Sequence, residues 1–211
     1  MTVKKGKFIT LEGGEGVGKT TNIPFIKQYL EKQAIDVVVT REPGGTQLAE
    51  RIRGLLLQDD HEESLADHAE ILLIFAARAQ HINHVIKPAL DEGRWVLCDR
   101  FTDATYAYQG GGRGMSLEAI TWLENFVQGN LRPDLTLLLD MPVGAGMHRA
   151  KNRGGVIDRF ESEHLQFFSQ VRQIYLQQAQ QYPDRIKIIK ADQALDAVQK
   201  DIIEEIKKIL V

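Results

Sequence analysis

Five short apolar runs recur at wide intervals along the chain. Lys7 to Leu11, Asp36 to Thr40, Trp95 to Cys98, Leu135 to Leu139 and Ile186 to Ile189 are brief and rich in Leu, Ile and Val, the pattern of strands buried on both faces. Between them apolar positions recur at helical spacing: Ile23, Ile26 and Leu30, then Ile71, Phe75, Ile82 and Ile86, and near the end Ile202, Ile206 and Ile209. Strands alternating with helices predict an α/β fold with a mainly parallel sheet. Right-handed crossovers place the helices on both of its faces. No repeat, low-complexity tract or Pro/Gly-rich linker breaks the alternation, so residues 1–211 are expected to form one domain. Two segments stand apart. Gln109 to Gly114, with four glycines in six residues, reads as a loop, and Lys151 to Arg159 is a basic stretch following a helix.

Charge and composition narrow the classes. Lys and Arg number 26 against 29 Asp and Glu, so the net charge of −3 gives no reason to expect a nucleic-acid binder. The single cysteine, Cys98, excludes an internal disulfide and fits a reducing compartment. The longest apolar run, Ile71 to Ala77, has seven residues, far short of the roughly 20 that span a bilayer. The lysines near the start precede only Phe8 to Leu11 before Glu12, which is not a secretory signal. A soluble, cytoplasmic protein is expected.

Gly13-Gly14-Glu15-Gly16-Val17-Gly18-Lys19-Thr20 matches the phosphate-loop pattern, with a predicted strand before it and a helical stripe after. Glycines let successive backbone N–H groups turn inward around phosphate oxygens, and the helix N-terminus adds its positive dipole. Lys19 would reach the outer phosphates and Thr20 would hold Mg²⁺, with Thr21 beside them at the phosphates. Pro24 removes one helix hydrogen bond and is expected to kink the following helix. A guanine-specifying Asn-Lys-x-Asp motif is absent, which disfavours a GTPase. Two other strands end in acids, Asp99 and Asp140. Because the carboxyl ends of parallel strands face the ligand crevice, either could order Mg²⁺ directly or through water. Asp99, next to Arg100, is the favoured one. His81 and His84 share a predicted helix face but lack a third ligand, so no zinc site is expected. Trp95 and Trp122 are expected to pack, and Cys98 to be buried and inert.

Thr40-Arg41-Glu42-Pro43-Gly44-Gly45-Thr46, Asp99-Arg100-Phe101 and Ala107-Tyr108-Gln109-Gly110-Gly111 accompany the phosphate loop. In this order and spacing, over nearly the whole chain, they resemble the bacterial thymidylate kinases, P-loop nucleoside monophosphate kinases. The resemblance implies a five-stranded parallel sheet in the order 2-3-1-4-5 flanked by helices, and usually a homodimer. It implies transfer of the ATP γ-phosphoryl group to dTMP, making dTDP on the route to dTTP, with Mg²⁺ and with no nucleic-acid or membrane partner.

Roles follow from the same resemblance. Arg100 would grip the dTMP phosphate, with Arg53 near it and Glu42 in the acceptor site. Phe75 and Arg78, three apart on one helix face, correspond to the family's thymine-stacking ring and base-binding arginine. Many relatives place the aromatic where this chain has Ile74. Thr105, Tyr108 and Gln109 resemble the wall around base and sugar. Glu15 would face the acceptor sugar or a bound Mg²⁺. Gly16 stands where one subtype carries an arginine, so transition-state charge needs another cation. Arg153 and Arg159 resemble lid arginines and Arg149 lies close by, in a lid around residues 149–160 with Gly154-Gly155 as hinges. The rival readings are a kinase for another nucleoside monophosphate or a deoxynucleoside, and a nucleotide-regulated binding module whose phosphate loop switches conformation without turnover.

Overall fold

The computed structural model describes residues 5–58, 63–153, 159–160 and 163–210, the side chain of Arg153 excepted. Each apolar run is a strand: β1 Phe8–Glu12, β2 Val37–Arg41, β3 Trp95–Asp99, β4 Leu135–Asp140 and β5 Ile186–Lys190. All pairings are parallel, and the order is β2-β3-β1-β4-β5, as expected. Every strand runs past its apolar stretch to end on a charged residue, so one edge of the sheet carries Glu12, Arg41, Asp99, Asp140 and Lys190. That edge is where an open parallel sheet meets its ligands.

Helices α1 (Lys19–Lys32), α2 (Gln47–Leu57), α3 (Asp67–His81), α4 (Lys87–Asp91), α5 (Thr102–Thr105), α6 (Leu117–Gln128), α7 (Val143–Arg153), α8 (Leu165–Gln181) and α9 (Leu195–Ile209) fill the connections. Adjacent residues of β1 feed different cores, as strand alternation requires. Ile9 and Leu11 pack with Ile26 and Leu30 of α1 and with Val198, Ile202 and Ile206 of α9. Phe8 packs instead with Val96, Phe101 and, from the π-helical turn Ile82–Ile86 linking α3 to α4, Ile82 and Ile86. The predicted C-terminal stripe is therefore core. α1 runs through Pro24 as one helix.

Three expectations need correction. Tyr106–Gly112 is a π-helical continuation of α5, so most of the predicted glycine loop is helix. Its glycines serve close packing: a Cβ on Gly111 would lie 2.9 Å from the Gln170 carbonyl oxygen of α8, and one on Gly112 would enter the Phe167 ring. Trp122 does not pack into a core. It is 64 % exposed and stacks on Phe126, 5.4 Å away between ring centroids. His81 and His84 do not share a face, because the π-helical turn begins between them; His81 is fully buried and His84 exposed. Trp95 and Cys98 do pack, and burial pushes the Cys98 thiol well above its ordinary pKa.

Candidate active site

The phosphate loop leaves β1 at Glu12 and enters α1 at Lys19. Gly13, Gly16 and Gly18 all have positive φ, at 133°, 70° and 98°. The ammonium of Lys19 folds back onto the loop and donates to the carbonyls of Gly13 (3.1 Å) and Gly14 (2.8 Å). Burial, followed by the nearby Arg100 charge, lowers its pKa to about 8. Lys19 is thus held beside the loop with poor solvation.

One cavity of about 570 Å³ opens from this loop to the opposite wall of the cleft. The residues from Glu15 to Thr21 line its donor end, with Arg149 and Ala150 of α7. Glu42, Arg53, Arg78, Asp99, Arg100, Thr105, Tyr108 and Gln109 line the rest. Residues spread over most of the chain converge because each follows a strand end or faces inward from a helix beside one. Gly13 and Gly14 lie on a small adjoining pocket rather than on this one.

Arg100 sits at the centre. It directly follows β3 and takes a left-handed backbone (φ 64°), an uncommon conformation for a residue with a side chain. Its guanidinium donates to the Gly13 carbonyl (2.8 Å), to Glu15 (2.6 Å) and to the Tyr175 hydroxyl (3.3 Å), and it lies over the Tyr108 ring. Glu15 is therefore turned toward Arg100 and accepts the Tyr108 hydroxyl as well (2.7 Å), contacts that offset its negative charge. Behind Arg100, the fully buried Glu12 accepts the Phe101 amide (2.6 Å) and the Tyr175 hydroxyl (2.8 Å). Burial, and then the neighbouring Asp103, push the Glu12 pKa up to about 8. Charge patterning gave no sign of Glu12, which reads in the sequence as the end of a strand.

At the far wall, Glu42 does not present a free carboxylate. One oxygen accepts Arg78 Nε (2.7 Å) and the other faces His81 Nδ1 (2.9 Å). Arg78 Nη2 donates to Thr105 Oγ1 (2.9 Å) and to the Phe101 carbonyl (3.3 Å), while its Nη1 is buried without a partner. Arg53 donates to the Pro43 carbonyl (2.9 Å) and Gln109 to Glu70 (2.7 Å).

Phe75 is not on the cavity wall. It is 2 % exposed, packs with Ile71, Tyr106 and Ile120, and carries the Arg78 guanidinium on its ring. The wall position falls to Ile74, because Arg78 and Ile74 are four apart and share a helix face more closely than residues three apart do here. Arg159 likewise does not line the cavity. It binds Glu70 of α3 (2.5 Å) and the Leu56 carbonyl of α2 (3.1 Å). Arg149 lines the donor end and also donates to the Ala191 carbonyl (3.1 Å). The Arg153 side chain and the Gly154-Gly155 pair lie outside the described residues. Leu56, Leu57 and Phe160 also line the cavity, and no sequence motif marked them.

The fit to Mg²⁺ rests on Asp99. Its Oδ1 is buried with no hydrogen-bond partner, and it shares the cavity wall with Thr20. Asp140 is different: both of its oxygens are taken by Arg172 (2.7 and 2.8 Å). No group of three or more His, Cys, Asp or Glu able to hold a metal occurs among the described residues. One carboxylate, one hydroxyl and the phosphates of a nucleotide suit Mg²⁺, which seldom uses an all-protein cage.

A parallel sheet of this order, with a phosphate loop after its central strand and a second cationic wall across one cleft, defines a P-loop phosphotransferase. The thymidylate kinase family model matches residues 11–202. A thymidylate kinase of Pseudomonas putida strain GB-1 is 60% identical, covering 93% of this chain and 93% of its own. That of Chromohalobacter salexigens is 58% identical, again with 93% of each chain covered. A crystal structure of thymidylate kinase from Ehrlichia chaffeensis superposes with a TM-score of 0.78 at 32% identity, covering 96% of this chain and 99% of the other. The chain belongs to the thymidylate kinase family.

Proposed function

We propose that the large cavity is the place where this chain does the work of its family. The chain phosphorylates dTMP to dTDP with ATP as the donor, a step of nucleotide biosynthesis. The observation that carries the reading of the site is that one continuous cavity joins the phosphate loop to Arg100 and Arg78. ATP phosphates lie in the loop from Gly13 to Thr21 with Lys19 on the outer phosphates, and Arg149 borders the donor nucleotide. The dTMP phosphate lies at Arg100 and Arg53. Its sugar meets Tyr108 and Glu15, and its base meets Arg78, Thr105, Gln109 and Ile74.

An oxygen of the dTMP phosphate attacks the γ-phosphorus, a P–O bond forms there, and the bond to the β–γ bridging oxygen of ATP breaks to release ADP. The attacking oxygen is already anionic near neutral pH, so no strong base is needed. Alignment and charge neutralisation carry the rate. Lys19 and Arg100 neutralise from two sides, with Arg153 as a third cation in place of the arginine that Gly16 lacks. Thr20 and Asp99, directly or through water, would hold Mg²⁺, which would add charge neutralisation at the phosphates.

The 211 residues act as one domain whose lid is the segment around residues 149–160, and the protein works in the cytoplasm on small nucleotides. No helix among the described residues is long and apolar enough to cross a membrane. It works as a homodimer, supported by the exposed stack of Trp122 and Phe126 on α6 and by exposed Leu72 on α3, the helix α6 packs against. Light scattering should give twice the chain mass, falling to one chain mass in Trp122→Glu. A wild-type protein of single-chain mass would remove the dimer.

ADP release measured with dTMP, dUMP, dCMP, dGMP and thymidine tests the activity. Rapid turnover with dTMP, lost in a folded Lys19→Ala variant, is expected. Equal turnover with dCMP would refute the base assignment, and full activity of Lys19→Ala would refute the donor site.

A further inference from the structure

His81 has no part in the chemistry above, yet it is the last residue of α3, has no exposed surface, and has both ring nitrogens within hydrogen-bond distance of polar partners. Nε2 lies 2.7 Å from Thr40 Oγ1 on β2, and Nδ1 lies 2.9 Å from Glu42 Oε1. We propose that His81 is a positioning residue for recognition of the acceptor base, acting through Glu42 to hold Arg78. This inference rests on the reading of the site as a thymidylate site.

The geometry runs in one direction. A carboxylate only accepts, so the nitrogen of His81 facing Glu42 carries the hydrogen. Glu42 Oε2 then accepts Arg78 Nε at 2.7 Å, and Thr105 Oγ1 and the Phe101 carbonyl take Nη2. The guanidinium is flanked by two rings, with its Cζ 4.7 Å from the Phe75 centroid and 5.3 Å from that of Phe101. Nη1 is the one nitrogen of Arg78 left without a partner, buried, on a residue that lines the cavity. A buried donor without an acceptor is costly, so a ligand carbonyl is favoured there and an amine is not. Thymine presents a carbonyl where cytosine presents an exocyclic amine. Discrimination between them therefore depends on Nη1 keeping its place.

His81 cannot easily turn away from this task. Gly45, at φ 85°, closes over the imidazole so tightly that a Cβ there would fall 2.4 Å from His81 Cδ2 and 2.7 Å from Thr40 Oγ1. The Glu42-Pro43-Gly44-Gly45 turn is thus shaped around the ring. It also explains Glu42 itself. Beside the Arg78 charge and the His81 hydrogen bond, its carboxyl stays below the usual range despite burial, so it remains an acceptor for Arg78 at neutral pH.

Three variants test the relay. His81→Gln loses the Glu42 contact, His81→Asn places an amide where Nδ1 stood, and Thr40→Val removes the hydroxyl that holds Nε2 with little change of volume. The readouts are kcat and KM for dTMP, dCMP and ATP, with dTMP affinity from calorimetry. In His81→Gln and Thr40→Val the ratio of kcat/KM for dTMP over dCMP should fall about tenfold or more, chiefly through KM for dTMP, with KM for ATP unchanged. His81→Asn should restore most of the ratio. If His81→Gln does not fold, Thr40→Val on its half-buried strand position decides alone. A ratio within about twofold of wild type in folded variants would overturn the proposal, as would an equal loss with every acceptor and with ATP, since packing alone would do that. A wild-type enzyme that does not prefer dTMP to dCMP would instead sink the thymidylate reading on which the proposal rests. A selective wild type with selective variants sinks only the role of His81.

Discussion

At Lys19 the folded chain keeps an ammonium group among its own loop carbonyls, and burial there lowers the pKa to about 8. A triphosphate placed in the loop reverses that cause, because a nearby anion favours the charged form. ATP binding near pH 8 should therefore take up protons, to about half a proton per site. Calorimetry in buffers of different ionisation enthalpy measures this directly. Uptake that persists unchanged in Lys19→Ala would assign the proton elsewhere. The lysine, its loop and Arg100 were legible as residue types at set spacings. Phe75 was not: a ring three residues before Arg78 has the right type, but the helix turns it into the core and gives the cavity Ile74. Local spacing tells which residues are neighbours on a helix; which stripe faces the cleft depends on how α3 is rotated against α2 and α6.

Among elements, the contact between the phosphate loop and α7 carries the most consequence. A Cβ on Gly16 would fall 1.9 Å from the Gly146 carbonyl oxygen, and one on Gly146 would fall 2.5 Å from that of Glu15. Two backbones meet where neither tolerates a side chain. This is the physical reason that this loop has no room for an arginine at Gly16 while α7 is seated. Gly146→Ala should cost about 1–3 kcal/mol and raise KM for ATP, because α7 must move off the loop. Thermal unfolding and steady-state kinetics check it; an unchanged melting temperature together with an unchanged KM would mean the contact yields without cost. Hydrophobic period alone located the five strands. It could not interpret the run from Gly110 to Gly112, since glycine serves loops and close helix contacts alike, and only the approach of α8 distinguishes them here.

Over the whole molecule, the interior behind the cleft holds a carboxyl group whose pKa folding raises. Glu12 has its pKa raised to about 8, first by burial and then by Asp103, against an ordinary value of 4.5 in the unfolded chain. Between these values the folded state binds more protons than the unfolded one. The stability this group contributes is full below about pH 4.5 and is lost as pH rises through about 8. Glu12→Gln cannot ionise, so its melting temperature relative to wild type should climb from pH 5 to 8 and then level. A difference that stays flat across that range would mean Glu12 is ionised in the native state. What the sequence by itself determined was local: strands from short apolar runs, a phosphate loop from eight consecutive residues, and the family from motifs in order. Those features follow from the covalent neighbourhood and the backbone geometry it favours. The tertiary structure alone decided that Glu12 meets Tyr175, 163 residues away, that Glu42 meets both Arg78 and His81, and that Arg159 binds Glu70. Burial, partner choice and the protonation that follows from them are set by which distant segments share one desolvated space, and that is fixed only when sheet and helices close around it.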